Sequence, residues 1–263
     1  MDEILIVAGE ADRVGQRLRH DLAEIGRRTQ LLDGPAAARL FTIRVQPHRT
    51  LVEPTAAMFV RSSAWWYDFA AADADERFLR AEAYAAFWAA TALSEAVVIN
   101  RIAADGSVWR MTAGTLAAAG VQRDTASDIH ASGPEIFETE NNDDHSSALW
   151  GEDLEYRAAP IGELRRSEPL RARQLNPAAL YEIVAVVGDR GFAATSDPRS
   201  AELAVIDRSI ELCRGAGLHF ATVSWAIDDS SAMPVRLNPA PEESELRYAW
   251  RDISRALCEE LTR

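Results

Sequence analysis

The sequence has 263 residues, enough for one large domain or two small ones with real cores, and its 48% apolar and 26% charged content is ordinary for a globular protein. Its 41 acids outweigh 28 basic residues for a net charge of -13, and every basic side chain is Arg because there is no Lys. That balance excludes nucleic acid, which needs a cationic face, and the missing Lys excludes Schiff-base chemistry; no apolar run reaches the roughly 18 residues that span a bilayer, so no membrane partner and a cytoplasmic location are expected.

EILIVAG (3–9), an amphipathic stretch over 11–26 and TQLLD (29–33) predict a β-α-β unit. LFTIRVQ (40–46) and RTLVEPT (49–55) flank Pro47-His48, which predicts a hairpin with a short loop. AAMFVRS (56–62) predicts a buried strand. The Ala-rich stretch 74–94 predicts a long helix, and Phe78, Tyr84, Phe87 and Trp88 recur on it at helical spacing, so all four are expected in the core. AVVIN (96–100) predicts a strand, and 106–120 a helix that stops at Gly120. Between 123 and 157 ten acids stand against Arg123 and Arg157 alone, which predicts a solvated connection. Cys213 and Cys258 are the two cysteines, without CxxC or paired spacing, and are expected to be buried thiols.

ALYEIVAVVGDRGFAAT (179–195) predicts two strands joined by a Gly188-Asp189-Arg190-Gly191 turn. A helix over 199–216 precedes two more strands, HFATVSWAID (219–228) and AMPVRLN (232–238). A final helix over 243–261 lines up Leu246, Trp250, Ile253, Leu257 and Leu261 on one side. The fold class is α/β, with an N-terminal unit 1–122, an acidic central connection 123–173 and a C-terminal unit 174–263.

The strand AMPVRLN ends on Arg236-Leu237-Asn238-Pro239, which by itself needs nothing but a turn. Its surroundings add to that. MFVRSS (58–63), VINRIA (98–103), YEIVAVVGDRGFAA (181–194) and VRLNP (235–239), the last following GLHFATVSWAI (217–227), occur in the order of an ATP-grasp ligase. The chain resembles the branch of that family that modifies ribosomally made peptides, the microviridin-type ligases. The resemblance implies a pre-ATP-grasp-like N-terminal α/β domain and a reduced C-terminal ATP-grasp-like sheet with helices. The chain is also similar to the peptide-binding proteins of the crocagin pathway, which are shortened ligase scaffolds.

The resemblance brings departures with it. An ATP-grasp enzyme holds magnesium between carboxylates on neighbouring strands, because anionic oxygens must offset the ion's charge. Matching the segments puts Ser224 and Arg236 where two of those acids stand and leaves Asn238. A guanidinium a few ångströms from a divalent cation costs several kcal/mol at an effective dielectric near ~20. Val184 and Thr195 fall where the family has arginines, and the central connection has neither a lysine nor a Gly-rich loop. Its acids would repel a polyphosphate. No cofactor and no metal are expected. The resemblance therefore implies a pseudoenzyme that binds a precursor peptide and presents it to tailoring enzymes of the same pathway, as a homodimer.

The peptide is expected to add as a strand to the hairpin 181–195, where Glu182, Val184, Val186 and Phe192 are the candidate contacts. The competing reading is a hairpin covered by a partner copy or by the final helix. Trp65 and Trp66, beside Tyr67, are further aromatic candidates, and Trp150 is expected either to close over a bound segment or to latch its own loop down. Two other functions compete. An active ligase would need replacement acids, for which Asp228 and Asp229 stand nearest in the chain. A histidine enzyme would draw on His20, His48, His130, His145 or His219, none of which lies in a nucleophile motif.

Overall fold

The computed structural model describes residues 3–61, 73–101, 128–131, 149–152, 158–160, 170–174, 180–195, 204–227 and 232–263. The predicted helix over 106–120 lies outside these residues. The opening unit forms as expected: β1 (Ile4–Val7), α1 (Arg13–Glu24) and β2 (Thr29–Leu32), with β1 and β2 parallel. Asp12 caps α1 by accepting from Gly15 N at 2.7 Å, and Asp33 caps α2 (Gly34–Leu40) in the same way through Ala36 N. A hairpin of β3 (Thr42–Gln46) and β4 (Arg49–Glu53) turns at Pro47-His48, and β5 (Met58–Val60), α3 (Ala74–Leu93) and β6 (Val98–Ile99) complete a parallel sheet of order β2-β1-β5-β6.

The near-continuous apolar strands of this sheet follow from burial on both faces. Leu5, Val7, Met58, Val60 and Val98 face one way and pack with α2 and α3 through Ala37, Ala38 and Phe87. Ile4, Ile6, Phe59 and Ile99 face the other way, toward Val14, Leu18 and Leu22 of α1. Tyr84 and Trp88 lie half-buried against the first of these cores. Phe78 departs from the expectation: it is 64% exposed, as is its neighbour Leu79 at 65%.

The acidic stretch contains more order than its composition suggests. β7 (Asp128–Ala131), β8 (Leu149–Glu152), β9 (Ala158–Pro160) and β10 (Leu170–Gln174) form an antiparallel sheet of order β7-β10-β8-β9. The strands span only 3 to 5 residues, and all but β9 (Ala-Ala-Pro) mix charged with apolar positions. Backbone pairing holds such strands without the alternating apolar run by which a strand is recognised in sequence.

A third sheet, order β12-β11-β13-β14, is antiparallel throughout: β11 (Leu180–Val187), β12 (Arg190–Ala193), β13 (Phe220–Ile227) and β14 (Ala232–Asn238). The first two strands turn over Gly188-Asp189, two residues rather than four, with Gly188 at φ 58. Val184, Val186, Val223, Trp225 and Leu237 face α4 (Val205–Gly215). The approach is close at Gly191, where a Cβ would sit 2.6 Å from Ile206 Cγ2. Burial pushes the thiol of Cys213, on α4, up to about 12. A thiol protonated so tightly in the fold favours folding below its ordinary value of 9.0, and that contribution is lost as pH rises toward 12. Stability should thus decline across that window, and Ellman's reagent at pH 8 should label Cys213 only after denaturation.

The opposite face of the third sheet carries Ala185, Val187 and Phe220 and belongs to the same core as Ile4, Ile6 and α1. Joining them is the C-terminal segment, which forms two helices instead of one: α5 (Glu243–Leu246) and α6 (Trp250–Leu261). Leu246, Trp250, Ile253, Leu257 and Leu261 are all buried in that shared core, as their spacing predicts. Phe59 and Phe220 meet across it with ring centroids 5.5 Å apart. The N-terminal and C-terminal sheets therefore share one hydrophobic interior. No helix among the described residues is long and apolar enough to cross a membrane.

Candidate functional site

The strands of the third sheet bring the candidate metal positions together. β13 and β14 pair Ser224 with Arg236 and Thr222 with Asn238, so these four positions share one face of adjacent strands. β11 pairs Ile183 with Ser224 and Ala185 with Thr222 on the same face. Val184 points the opposite way, into the α4 core, at zero exposure. A group acting beside Ser224 would come from position 183, and that residue is Ile. Val184, the position matched to a family arginine, faces α4 rather than Ser224.

Asn238 is buried and committed at both ends of its amide. Its Nδ2 donates to Glu245 Oε2 at 2.8 Å, and its Oδ1 accepts from Ala240 N at 3.1 Å. Glu245 also accepts from Thr222 Oγ1 at 3.3 Å and from Glu242 N at 2.8 Å, the latter within a capping box that starts α5. The carboxylate that does stand beside Asn238 is thus occupied by three donors, and it ties the end of β14 to α5. Among the described residues no group of three or more His, Cys, Asp or Glu side chains could hold a metal ion. Asp228 and Asp229 lie outside them.

The candidate peptide contacts divide. Glu182, Val184 and Val186 are buried, and the two valines pack against α4 rather than presenting a surface. Phe192 is half-buried on the other face, against the core shared with α6. Arg190 bonds Ala256 O and Glu259 of α6. Helices thus cover both faces of the hairpin, and the competing reading of a hairpin under the final helix holds for its side chains. What remains is the backbone of β12, an end strand of its sheet. Trp150 stands on β8 opposite Arg173 and Pro160, in a paired strand rather than a loop. Trp65 and Trp66 lie outside the described residues, as do Tyr67 and His145. Thr195 Oγ1 is buried and has no hydrogen-bond partner among the described residues. His20 pairs with Glu24 at 3.3 Å, and His219 is held through its backbone N, which donates to Asn100 Oδ1 at 3.2 Å.

Two residues went unread as structural devices although both lie in segments that carry the resemblance. Asn100, of VINRIA, is fully buried and reaches from the end of β6 into the third sheet. Its Nδ2 donates to Phe220 O at 2.7 Å and Pro239 O at 3.1 Å, and its Oδ1 accepts from Phe220 N at 2.8 Å. Arg61, of MFVRSS, donates from Nε to Asp12 Oδ2 at 2.6 Å and from Nη2 to Pro241 O at 2.9 Å. A polar residue ending each of two buried strands was the available signal.

No protein-family model and no curated protein sequence matches the chain. Among solved structures its fold is that of the ATP-grasp ligases. The macrocyclase MdnC from Microcystis aeruginosa MRC, bound with precursor peptide MdnA, matches with a TM-score of 0.65 at 14% identity over 100% of both chains. The ATP-grasp ligase PsnB, complexed with a minimal precursor, matches with a TM-score of 0.65 at 17% identity over 100% of this chain and 98% of the other. A RiPP-associated ATP-grasp ligase of Chryseobacterium gregarium, in complex with ADP and a leader and core peptide, matches at 0.61 and 11% identity over 100% and 97%. At these identities the likeness carries the fold, in agreement with the α/β, ATP-grasp-like architecture expected from the sequence.

Proposed function

We propose that the protein is a non-catalytic binder of a precursor peptide in the making of a ribosomally produced, modified peptide. It holds the peptide for tailoring enzymes of the same pathway, in the cytoplasm and as a homodimer. The observation that carries this reading is the pairing of Ser224 with Arg236 beside an Asn238 whose amide is already engaged. Hydroxyl and guanidinium positions there offer no anionic oxygen to a divalent cation. The three ligases with this fold were each solved with a precursor or with leader and core peptides, which supports the retained peptide role. The backbone edge of β12 is the surface we assign to strand addition, because β14, at the other end of the sheet, is blunted by Pro234 and a register shift at Ser224/Trp225.

Thermal unfolding with and without Mg-ATP tests the negative half. A nucleotide at 100 times its dissociation constant would add about 2.7 kcal/mol of stability; the expected shift is nil, in the parent protein and in Arg236→Glu alike. Calorimetric titration with the precursor peptide tests the positive half and should give saturable binding. Stabilisation of the parent by Mg-ATP, or no heat and no stabilisation from the peptide, would overturn the proposal.

A further inference from the structure

Arg61 stands where open α/β sheets take their ligands. In the order β2-β1-β5-β6 the chain leaves β1 for β2 through α1 and leaves β5 for β6 through α3. α1 packs on the face of Ile4, Ile6 and Phe59, whereas α3 packs on the face of Leu5, Val7 and Met58. Connections that diverge in this way open a crevice outside the carboxyl ends of the two strands between them, and ligands bind there. β1 and β5 are those two strands. Their ends lie side by side, with Arg61 N donating to Val7 O at 2.8 Å.

The guanidinium of Arg61 is held at this point with one nitrogen unused. Nε donates to Asp12 Oδ2 and Nη2 to Pro241 O, which fixes the planar fork. Nη1 is buried and has no hydrogen-bond partner among the described residues, in a side chain that is 5% exposed. A buried donor without an acceptor is destabilising, and proteins keep few of them. Asp12 also sets this guanidinium at the start of α1, the positive end of the helix dipole, where the amides of Arg13 and Val14 have no acceptor within the helix. Both features call for an oxygen that carries negative charge. Asp12 limits how much: its Oδ1 serves Gly15 N and its Oδ2 serves Arg61, so toward a ligand it adds only repulsion. That repulsion doubles between a carboxylate and a doubly charged phosphate, which selects the carboxylate. The turn that borders the crevice is open to solvent, with Gly9 half-buried and Glu10 and Ala11 exposed.

We infer that a carboxylate of the bound peptide occupies this crevice and accepts from Arg61 Nη1. The inference rests on the peptide role proposed above and names a group that the peptide must carry. In calorimetric titrations with the precursor peptide, each Asp or Glu is changed singly to its amide and the C-terminus is amidated in a separate arm. One of these changes should weaken binding about tenfold or more, as loss of a charged hydrogen bond does, and the arm in which it occurs tells side chain from terminus. Arg61→Gln that keeps the circular dichroism of the parent should bind the acid and amide forms equally. A photoreactive diazirine placed beside the sensitive acid should label residues 9–13 or 61 of the parent protein, a readout that needs no Arg61 variant. Equal affinity of the parent for every amide form, or a label elsewhere, would overturn the site and leave the peptide role standing. A tenfold loss that persists in Arg61→Gln would assign the carboxylate to another cation and overturn it equally. No binding of any form would overturn the peptide role together with the site.

Discussion

Replacing Asn100 with alanine is expected to lower the melting temperature by about 10 °C or more, at roughly 2–4 °C per kcal/mol for a chain of this size. The side chain is fully buried and serves two acceptors and two donors: Phe220 O, Pro239 O, His219 N and Phe220 N. Each group left unpaired in the interior costs about 1–3 kcal/mol. The backbone adds to the loss, because Asn100 sits at φ 58, a left-handed conformation that Asn tolerates and alanine resists by about 1 kcal/mol. Asn100→Gly loses the same bonds without that strain and should melt above the alanine variant. An alanine variant melting within about 2 °C of the parent would show that the four bonds contribute nothing net.

Arg61→Met is expected to cost about 3 kcal/mol in urea unfolding, the lower end of what breaking a buried ion pair from one side does. Arg61 is 5% exposed and Asp12 18%, so the carboxylate left behind is screened only in part. The two functions of Asp12 can be separated, because its Oδ1 caps α1 while its Oδ2 meets Arg61. Asp12→Asn keeps an oxygen for the cap and removes the stranded charge, so Asp12→Asn/Arg61→Met should be more stable than Arg61→Met alone. A double variant less stable than the single one would mean that the charge, once orphaned, is no burden and that the cap dominates.

The apolar periodicity made most elements of the first and third sheets legible, because their inner strands, such as β1, β5 and β13, are buried on two faces and read as near-continuous apolar runs. β14 was predicted to the residue, and α3 nearly so. The central sheet was not legible, since strands as short as β9 carry no measurable period and their acids point to solvent exposure. Phe78 was misread for a different reason: it stands nine residues before Phe87, half a turn round the helix, so the period itself puts the two on opposite sides of α3. At the candidate site, sequence order placed Ser224, Arg236 and Asn238, and the strand register joined them on one face. It could not say which β11 residue faces them; that residue is Ile183, since Val184 alternates to the α4 side. Nor could it reveal that Glu245 takes up Asn238, a contact set by the path of the chain between β14 and α5.

The interior shared by both sheets imposes an order on biosynthesis. β1, β5 and α1 bury one side against α6, which the ribosome makes more than two hundred residues after α1. The early sheet must wait half-covered while the rest of the chain is translated, so nascent chains stalled before residue 250 should be open to proteases and chaperones until that last helix arrives.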